Sequence, residues 1–136
     1  MNRDEIREKT MQLVYQMDIV GDFEVADLSL VDENVKAAAK KQAAATLAAV
    51  QDHHEEIDSL ITDNLDNWTI DRIAKTDLAI LRTALAEILY VENIPVKVSI
   101  NEAVNLAKKY GDERSYAFIN SVLGKISRSL ESSEIK

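Results

Sequence analysis

Residues 77–91 read Asp-Leu-Ala-Ile-Leu-Arg-Thr-Ala-Leu-Ala-Glu-Ile-Leu-Tyr-Val and form the most apolar stretch of the chain. A helix over this stretch is apolar on nearly every side, with Leu78, Leu81, Leu85 and Ile88 on one face and Ile80, Ala84 and Leu89 on others. Such a helix is typically buried at the centre of a protein. Arg82 and Glu87 lie within it, so we predict that they are buried polar groups with partners and not catalytic residues.

The composition of the whole chain agrees with one helical domain. Its 136 residues are 46% hydrophobic and 29% charged, which predicts a soluble globular protein. Three Gly and one Pro are too few for the turns of an all-β sandwich or barrel. Because Cys is absent, disulfides, zinc–thiolate sites and thiol nucleophiles are excluded, and a cytoplasmic location is favoured. The charged N-terminus and short apolar runs predict neither a secretion signal nor a membrane span.

Apolar periodicity predicts an all-α fold of six or seven helices in two halves. The predicted elements are Arg3–Ile19, Glu33–Asp52, His54–Asn67, a short turn at Asp71–Lys75, Asp77–Val91, a helix that ends at Gly111, and Glu113–Leu130. A break near Trp68 separates an N-terminal half, about residues 1–70, from a C-terminal half, about 71–130. Residues 131–136 are predicted to be a frayed tail.

Particular residues mark the predicted helix ends. Gly21 and Asp22 follow the first helix, and residues 23–32 are predicted to be a connection. Pro95 stops the central helix. Ser99-Ile100-Asn101-Glu102 matches a capping box, which predicts Ser99 as the N-cap of the next helix.

The net charge of −8 is unevenly distributed. Residues 11–71 carry three basic and thirteen acidic side chains, whereas residues 97–128 carry six basic and three acidic ones. This asymmetry predicts one acidic and one mildly basic surface, and hence two kinds of partner. Ordinary solvated helix faces without any partner would give the same pattern.

A stripe of basic and aromatic residues is predicted on the outer side of the last helix. Its members are four, three, four and three residues apart and share one face: Arg114, Phe118, Ser121, Lys125 and Arg128. Cations that meet phosphates beside a ring that stacks on a base are typical of single-stranded RNA binding. The alternative is that Phe118 is half-buried at the rim of the core.

The sequence offers little for catalysis. His53-His54-Glu55-Glu56 contains metal-ligating residue types, but neighbours on a helix point about 100° apart. A metal site would need a pair such as His54 and Asp58 together with further ligands. A Gly-rich phosphate loop is also absent from the sequence. We therefore predict no enzyme activity, no cofactor and no metal site.

Several segments carry a family resemblance. In order they are ILRTALAEIL at 80–89, IPVKVSINEAVNLAKKYG at 94–111 and FINSVL at 118–123, with Arg7-Glu8 leading to QLVYQ at 12–16 near the N-terminus. The chain closely resembles the NusB family of bacterial transcription antitermination factors over essentially its whole length. The acidic middle of the chain is the least diagnostic part.

The resemblance implies a fold of two packed three-helix groups and a role without catalysis. Family members pair with NusE, a small-subunit ribosomal protein, and the pair binds the boxA element of nascent single-stranded RNA. This nucleates a complex on RNA polymerase that reads through terminators, chiefly in ribosomal RNA operons.

Carried over by position, the resemblance implies two surfaces. The RNA surface would consist of Arg3, Arg7, Lys9, Lys108, Tyr110, Arg114 and Phe118. The NusE surface, where acidic groups would face a basic ribosomal protein, would consist of Tyr15, Asp71, Arg72 and Asp77. The family motifs also include residues that we predict to hold the fold by hydrogen bonds, namely Arg82, Glu87, Asn101, Glu102 and Asn120.

Two departures from the family pattern affect these expectations. The first residues alternate arginines with acids, whereas the family is often strongly basic there. Because fewer phosphate contacts give a smaller electrostatic contribution, we expect weak RNA binding by the protein alone. Ser121 stands where the family commonly has Gly, which puts close packing at that point in question.

Two alternatives to an RNA- and protein-binding module stay open at this stage. A similar helical domain precedes the catalytic part of some ribosomal RNA cytosine methyltransferases, but this sequence contains no Rossmann-like domain with a Gly-rich cofactor loop. Some family members are homodimers, so self-association that covers the RNA face is the other alternative.

Overall fold

In the computed structural model, the described residues of the protein form five α-helices and one 3-10 turn. The structure describes residues 3–23, 37–66 and 69–135, and no strand occurs in these ranges. The predicted all-α class is confirmed. The elements are α1 Arg3–Val20, α2 Ala37–Asp63, a 3-10 turn at Ile70–Arg72, α3 Lys75–Tyr90, α4 Val96–Tyr110 and α5 Glu113–Ile135. Most of the predicted connection at 23–32, together with Trp68 at the predicted break, lies outside the described residues.

The end of α1 and the middle of α2 show how local chemistry sets helix boundaries. Gly21 has φ +77°, and its N–H donates to the carbonyl of Met17 at 2.9 Å, which ends α1 as predicted. The two helices predicted on either side of His53 meet at a kink in α2. His53 (φ −128°, ψ 18°) leaves the helical region, so the predicted break between two helical segments is confirmed at this residue. Its ring stacks on Tyr90, and the ring of His54 stacks on Phe23.

The helix α4 begins three residues before the predicted N-cap. The carbonyl of Pro95 accepts hydrogen bonds from the N–H groups of Val98 and Ser99, so helical bonding has already started there. Ser99 is 1% exposed, and its hydroxyl donates to Glu87 Oε1 at 3.2 Å. The predicted capping role of Ser99 is wrong, because its side chain faces the core.

The last helix is longer than predicted. Its backbone remains helical from Glu113 to Ile135, five residues beyond the predicted end at Leu130. The predicted frayed tail is therefore helical over 131–135. With α2 counted as one kinked helix, the described residues contain five α-helices and one 3-10 turn, against the six or seven helices predicted.

The helix α3 is the centre of the fold. Every residue from Asp77 to Glu87 is buried, and α3 packs against α1, α2, α4 and α5. The largest fully buried side chains come from α1, α2, α3 and α5 and include Met11, Leu47, Ile61, Leu81, Leu85, Ile119 and Leu123. The prediction of a central helix that is apolar on nearly all sides is confirmed.

Arg82 connects α3 to α1 and α2. Its Nε and Nη2 atoms donate to the two carboxylate oxygens of Asp58, both at 2.8 Å, and Nη1 lies 3.4 Å from Asp18. Burial disfavours the charge, but the carboxylates of Asp58 and Asp18 outweigh it and raise the pKa of Arg82. The prediction that Arg82 is a buried group with partners is confirmed.

Glu87 connects α3 to α1 and α4 in the same way. It is 3% exposed and accepts hydrogen bonds from Arg7 Nε at 3.1 Å and Arg7 Nη2 at 2.9 Å, as well as from Ser99. The predicted role of Glu87 as a buried partnered group is therefore also confirmed.

Replacing Arg82 with Met should strongly destabilise the fold. The variant leaves the Asp58 carboxylate without its cation and Asp18 with Lys75 alone, and breaking a buried pair on one side costs about 3–5 kcal/mol. Urea unfolding followed by circular dichroism measures the loss. The matched control is Arg128→Met, at an exposed position of α5, which should change stability by less than about 0.5 kcal/mol. Equal effects of the two variants would contradict this account of Arg82.

Candidate nucleic-acid interface

The start of α1 supplies fewer surface cations than its sequence offers. Arg3 begins α1, and the structure does not describe its side chain. Lys9 is exposed. Arg7 is only 9% exposed, and its guanidinium forms the bidentate contact with Glu87. Arg7, predicted to contact RNA, is therefore a residue of the core whose charge is already paired.

A carboxylate lies where α1 meets the end of α4. Glu8 is 2.9 Å from Lys109 Nζ and also accepts a short hydrogen bond from the Tyr110 hydroxyl, which in turn accepts one from Gln12 Nε2 at 2.9 Å. The hydrogen bonds from Tyr110 and Lys109 lower the pKa of Glu8, so it is ionised at neutral pH. Glu8 thus neutralises part of the positive charge of the predicted RNA surface around Tyr110.

Lys108 points to the other side of α4. It is exposed, and its ammonium lies 5.3 Å from the centre of the Tyr116 ring, within the range of a cation–π contact. Consecutive residues on a helix point about 100° apart, which explains why Lys108 and Lys109 reach different neighbours.

Arg114 and Phe118 lie on the first turns of α5. Asp112 caps this helix, because its carboxylate accepts hydrogen bonds from the backbone N–H groups of Arg114 at 2.9 Å and Ser115 at 3.1 Å. Gly111 precedes it, and a Cβ there would lie 2.4 Å from the Ser115 hydroxyl oxygen. The approach of α4 to α5 therefore requires a residue without a side chain at this position.

Phe118 is half-buried and packs against the core, while Arg114 is exposed. The alternative that Phe118 is half-buried at the rim of the core is therefore confirmed, whereas RNA stacking on its exposed part stays a prediction. Further along the predicted stripe, Lys125 forms a short ion pair with Asp66. In the predicted stripe, Arg114 and Phe118 in its first half therefore remain available to contact RNA.

Two of the predicted RNA residues and two of the predicted NusE residues line one cleft between α3 and α5. Arg72 and Asp77 line one side of it, and Arg114 and Phe118 line the other. Sequence positions that lie about forty residues apart are brought together because the N-terminal ends of α3 and α5 are adjacent. Asp77 is 9% exposed, and burial raises its pKa against the effect of a hydrogen bond with Ser115.

The two other residues predicted to bind NusE, Asp71 and Tyr15, do not line this cleft. Asp71 is exposed, and a hydrogen bond with the Thr69 side chain lowers its pKa. Tyr15 is half-buried on α1, where it packs against the core. Asp71 is therefore a fixed surface charge beside Arg72, whereas Tyr15 presents part of one ring.

Sequence reasoning missed a groove between α4 and α5. Asn101 and Asn120 line this groove and are exposed, and neither side chain has a hydrogen-bond partner among the residues that the structure describes. The prediction that these two residues hold the fold is wrong. Glu102, placed in the same group, is half-buried beside Asp4, and burial raises its pKa. The signal available in the sequence was the spacing of Lys97, Asn101 and Lys108 along one side of α4.

Comparison with known proteins identifies the family of this fold. The NusB family model matches residues 4–128. The chain belongs to the NusB family. A transcription antitermination protein NusB from Bacillus mycoides (strain KBAB4) is 42% identical over 132 residues, which cover 96% of this chain and all of the relative.

Solved NusB structures share the fold. The structure of T. maritima NusB superposes with a TM-score of 0.82 at 30% identity and covers 94% of this chain and 92% of its own. A structure of the antitermination factors NusB and NusE in complex with dsRNA has a TM-score of 0.78 at 27% identity, covering 93% and 96% respectively. The family membership predicted from the sequence is confirmed.

The described part of this NusB-family chain lacks two other features, a cluster of metal-ligating side chains and a membrane-spanning helix. Within 3–23, 37–66 and 69–135, no three or more His, Asp or Glu side chains come together in a way that could hold a metal ion. No helix within the same ranges is both long and apolar enough to cross a membrane.

Replacing Arg7 with Met tests its assignment to the core. The variant leaves Glu87 buried without its cation, so we expect the free energy of unfolding to fall by about 3–5 kcal/mol. Lys9→Met is the matched control, because Lys9 is exposed two residues further along α1 and should change stability by less than about 0.5 kcal/mol. An Arg7→Met variant of unchanged stability that loses RNA affinity would show that Arg7 belongs to the RNA surface instead.

Proposed function

We propose that this protein is a non-catalytic, RNA-binding transcription antitermination factor of the cytoplasm. With NusE it binds boxA RNA of ribosomal RNA operons and helps RNA polymerase to read through terminators. The observation that carries the proposal is the match over nearly the whole chain to relatives named transcription antitermination protein NusB. The related structure with NusE and dsRNA supports the two partners.

The proposed RNA surface runs from the start of α1 to the first turns of α5. Its accessible cations are Lys9, Lys108 and Arg114, with Arg3 at the beginning of α1. Tyr110 (39% exposed) and Phe118 supply rings on which bases can stack. Arg7 supports this surface from behind by its contact with Glu87.

The proposed NusE surface consists of Asp71, Arg72 and Asp77, with Tyr15 on α1. Asp71 is an exposed carboxylate whose lowered pKa keeps it ionised, which suits a basic ribosomal protein. Because Arg72 and Asp77 share a cleft with Arg114 and Phe118, NusE bound there would border the RNA. This arrangement explains how a partner could complete an RNA surface that is weak on its own.

A gel-shift titration with boxA RNA, with and without NusE and at two salt concentrations, tests the proposal. We expect tight, salt-sensitive binding that requires NusE. Phe118→Ala should weaken binding by about 1–3 kcal/mol, because it removes a stacking ring. Tyr90→Ala is the matched control, since Tyr90 is a similarly exposed aromatic residue that stacks on His53 instead. No shift under any of these conditions would overturn the proposed function.

Glu8→Gln should raise RNA affinity. The change frees Lys109 and Tyr110 from an anion, so the salt dependence should become steeper by about one phosphate contact. Glu55→Gln removes an equal charge from an exposed site on α2 and should leave both quantities unchanged. Equal effects of Glu8→Gln and Glu55→Gln would show that only net charge matters.

The difference in stability between the Glu8→Gln variant and the wild type should depend on pH. The pKa of Glu8 is lowered in the folded protein, so its contribution to stability is present above the unfolded pKa and is lost as the pH falls through the folded pKa. Glu8→Gln should therefore be less stable than the wild type at neutral pH, and this difference should disappear in acid.

A further inference from the structure

We propose that the groove between α4 and α5 is a second RNA subsite, which takes a few unpaired nucleotides that flank the boxA element. The inference rests on the proposed function and extends it to a surface that the family resemblance did not point to. The ligand chemistry is that of single-stranded RNA, with phosphates at the ends of the groove and base edges in its middle.

The charge of the groove favours a polyanion. Lys97 and Lys108 lie on the same side of α4, eleven residues apart, which corresponds to about 16 Å along the helix. The protein carries a net charge of −8, yet none of the described residues that line the groove is acidic. The contact with the Tyr116 ring holds the Lys108 ammonium at one end.

The middle of the groove offers the groups that read bases. Asn101 projects from α4 and Asn120 from α5, both exposed and both without a hydrogen-bond partner in the described parts of the chain. A side-chain amide presents donors and an acceptor together, which suits the edges of unpaired bases. Ser121, at a position where the family commonly has Gly, adds a hydroxyl to the same wall.

The floor of the groove is apolar. Ile100 and Val104 come from α4 and Ala117 from α5, so the flat faces of bases can cover them. Unpaired bases combine an apolar face with a polar edge, and a site that accepts them needs both kinds of surface. An acidic peptide would use the two lysines but would leave the free amides without a specific role.

The groove is also continuous with the proposed RNA surface. Lys108 belongs to both, and Ser121, which lines the groove, lies on the same face of α5 as Arg114 and Phe118. RNA that leaves Phe118 can therefore follow this face of α5 into the groove without crossing the acidic N-terminal half.

The experiment compares two RNAs in the presence of NusE: a minimal boxA RNA and the same RNA with unpaired extensions at both ends. We expect the wild type to bind the extended RNA about tenfold more tightly. The double variant Asn101→Ala/Asn120→Ala should lose this gain and bind the minimal RNA as the wild type does. The matched control is Asn105→Ala, because Asn105 is exposed on α4 but does not line the groove.

The outcomes separate the groove from the proposed function. If the wild type binds neither RNA with NusE, the proposed function fails and the groove subsite fails with it. If it binds both RNAs equally, or if the double variant keeps the gain, the proposed function stands and the subsite is overturned. A double variant that loses NusE in a pull-down while remaining folded would make the groove a protein-docking site and would also overturn the subsite.

Discussion

The two charged groups that α3 carries into the core determine how the other helices are arranged. Arg82 and Glu87 lie within a segment that is buried on every side, so each needs partners of the opposite charge or strong hydrogen bonds. Arg82 takes carboxylates from α1 and α2, and Glu87 takes donors from α1 and α4. Three helices are thereby aligned with α3 in one register, and apolar packing alone would not specify that register as sharply.

The pairing of Glu87 with Arg7 also determines which side chains of α1 face the surface. Because Arg7 turns inwards to Glu87, the next residue, Glu8, is directed at the end of α4, where it binds Lys109 and Tyr110. The residue after that, Lys9, reaches solvent. The rotation of α1 that satisfies the core thus gives the proposed RNA surface one cation fewer and places an anion within it. We propose that this surface gains further RNA contacts from NusE and from the groove between α4 and α5.

The largest difference between the expectations from the family resemblance and the structure concerns the positions of Asn101 and Asn120. In the sequence, Asn101 and Asn120 stand in two of the segments that resemble the family, and Arg82 and Glu87 of a third segment proved to be buried and partnered. Exposure cannot be read from such a motif, because a single helical turn carries residues from the core to solvent. The structure places both amides in the groove between α4 and α5, and it moves the helix start from Ser99 to Val96.

The sequence by itself determined the all-α class, the buried central helix and most helix ends, because these depend on periodicity and on local signals such as Gly21 and Pro95. It also determined the family, through the segments at 80–89, 94–111 and 118–123 that resemble NusB proteins. Which side chains remain accessible depended on contacts between distant residues. The pairing of Arg7 with Glu87 spans eighty residues, and the cleft that joins Arg72 and Asp77 to Arg114 and Phe118 spans about forty. Only the tertiary structure decided these features, because the charge and the exposure of a side chain are set by what packs against it and not by its neighbours along the chain.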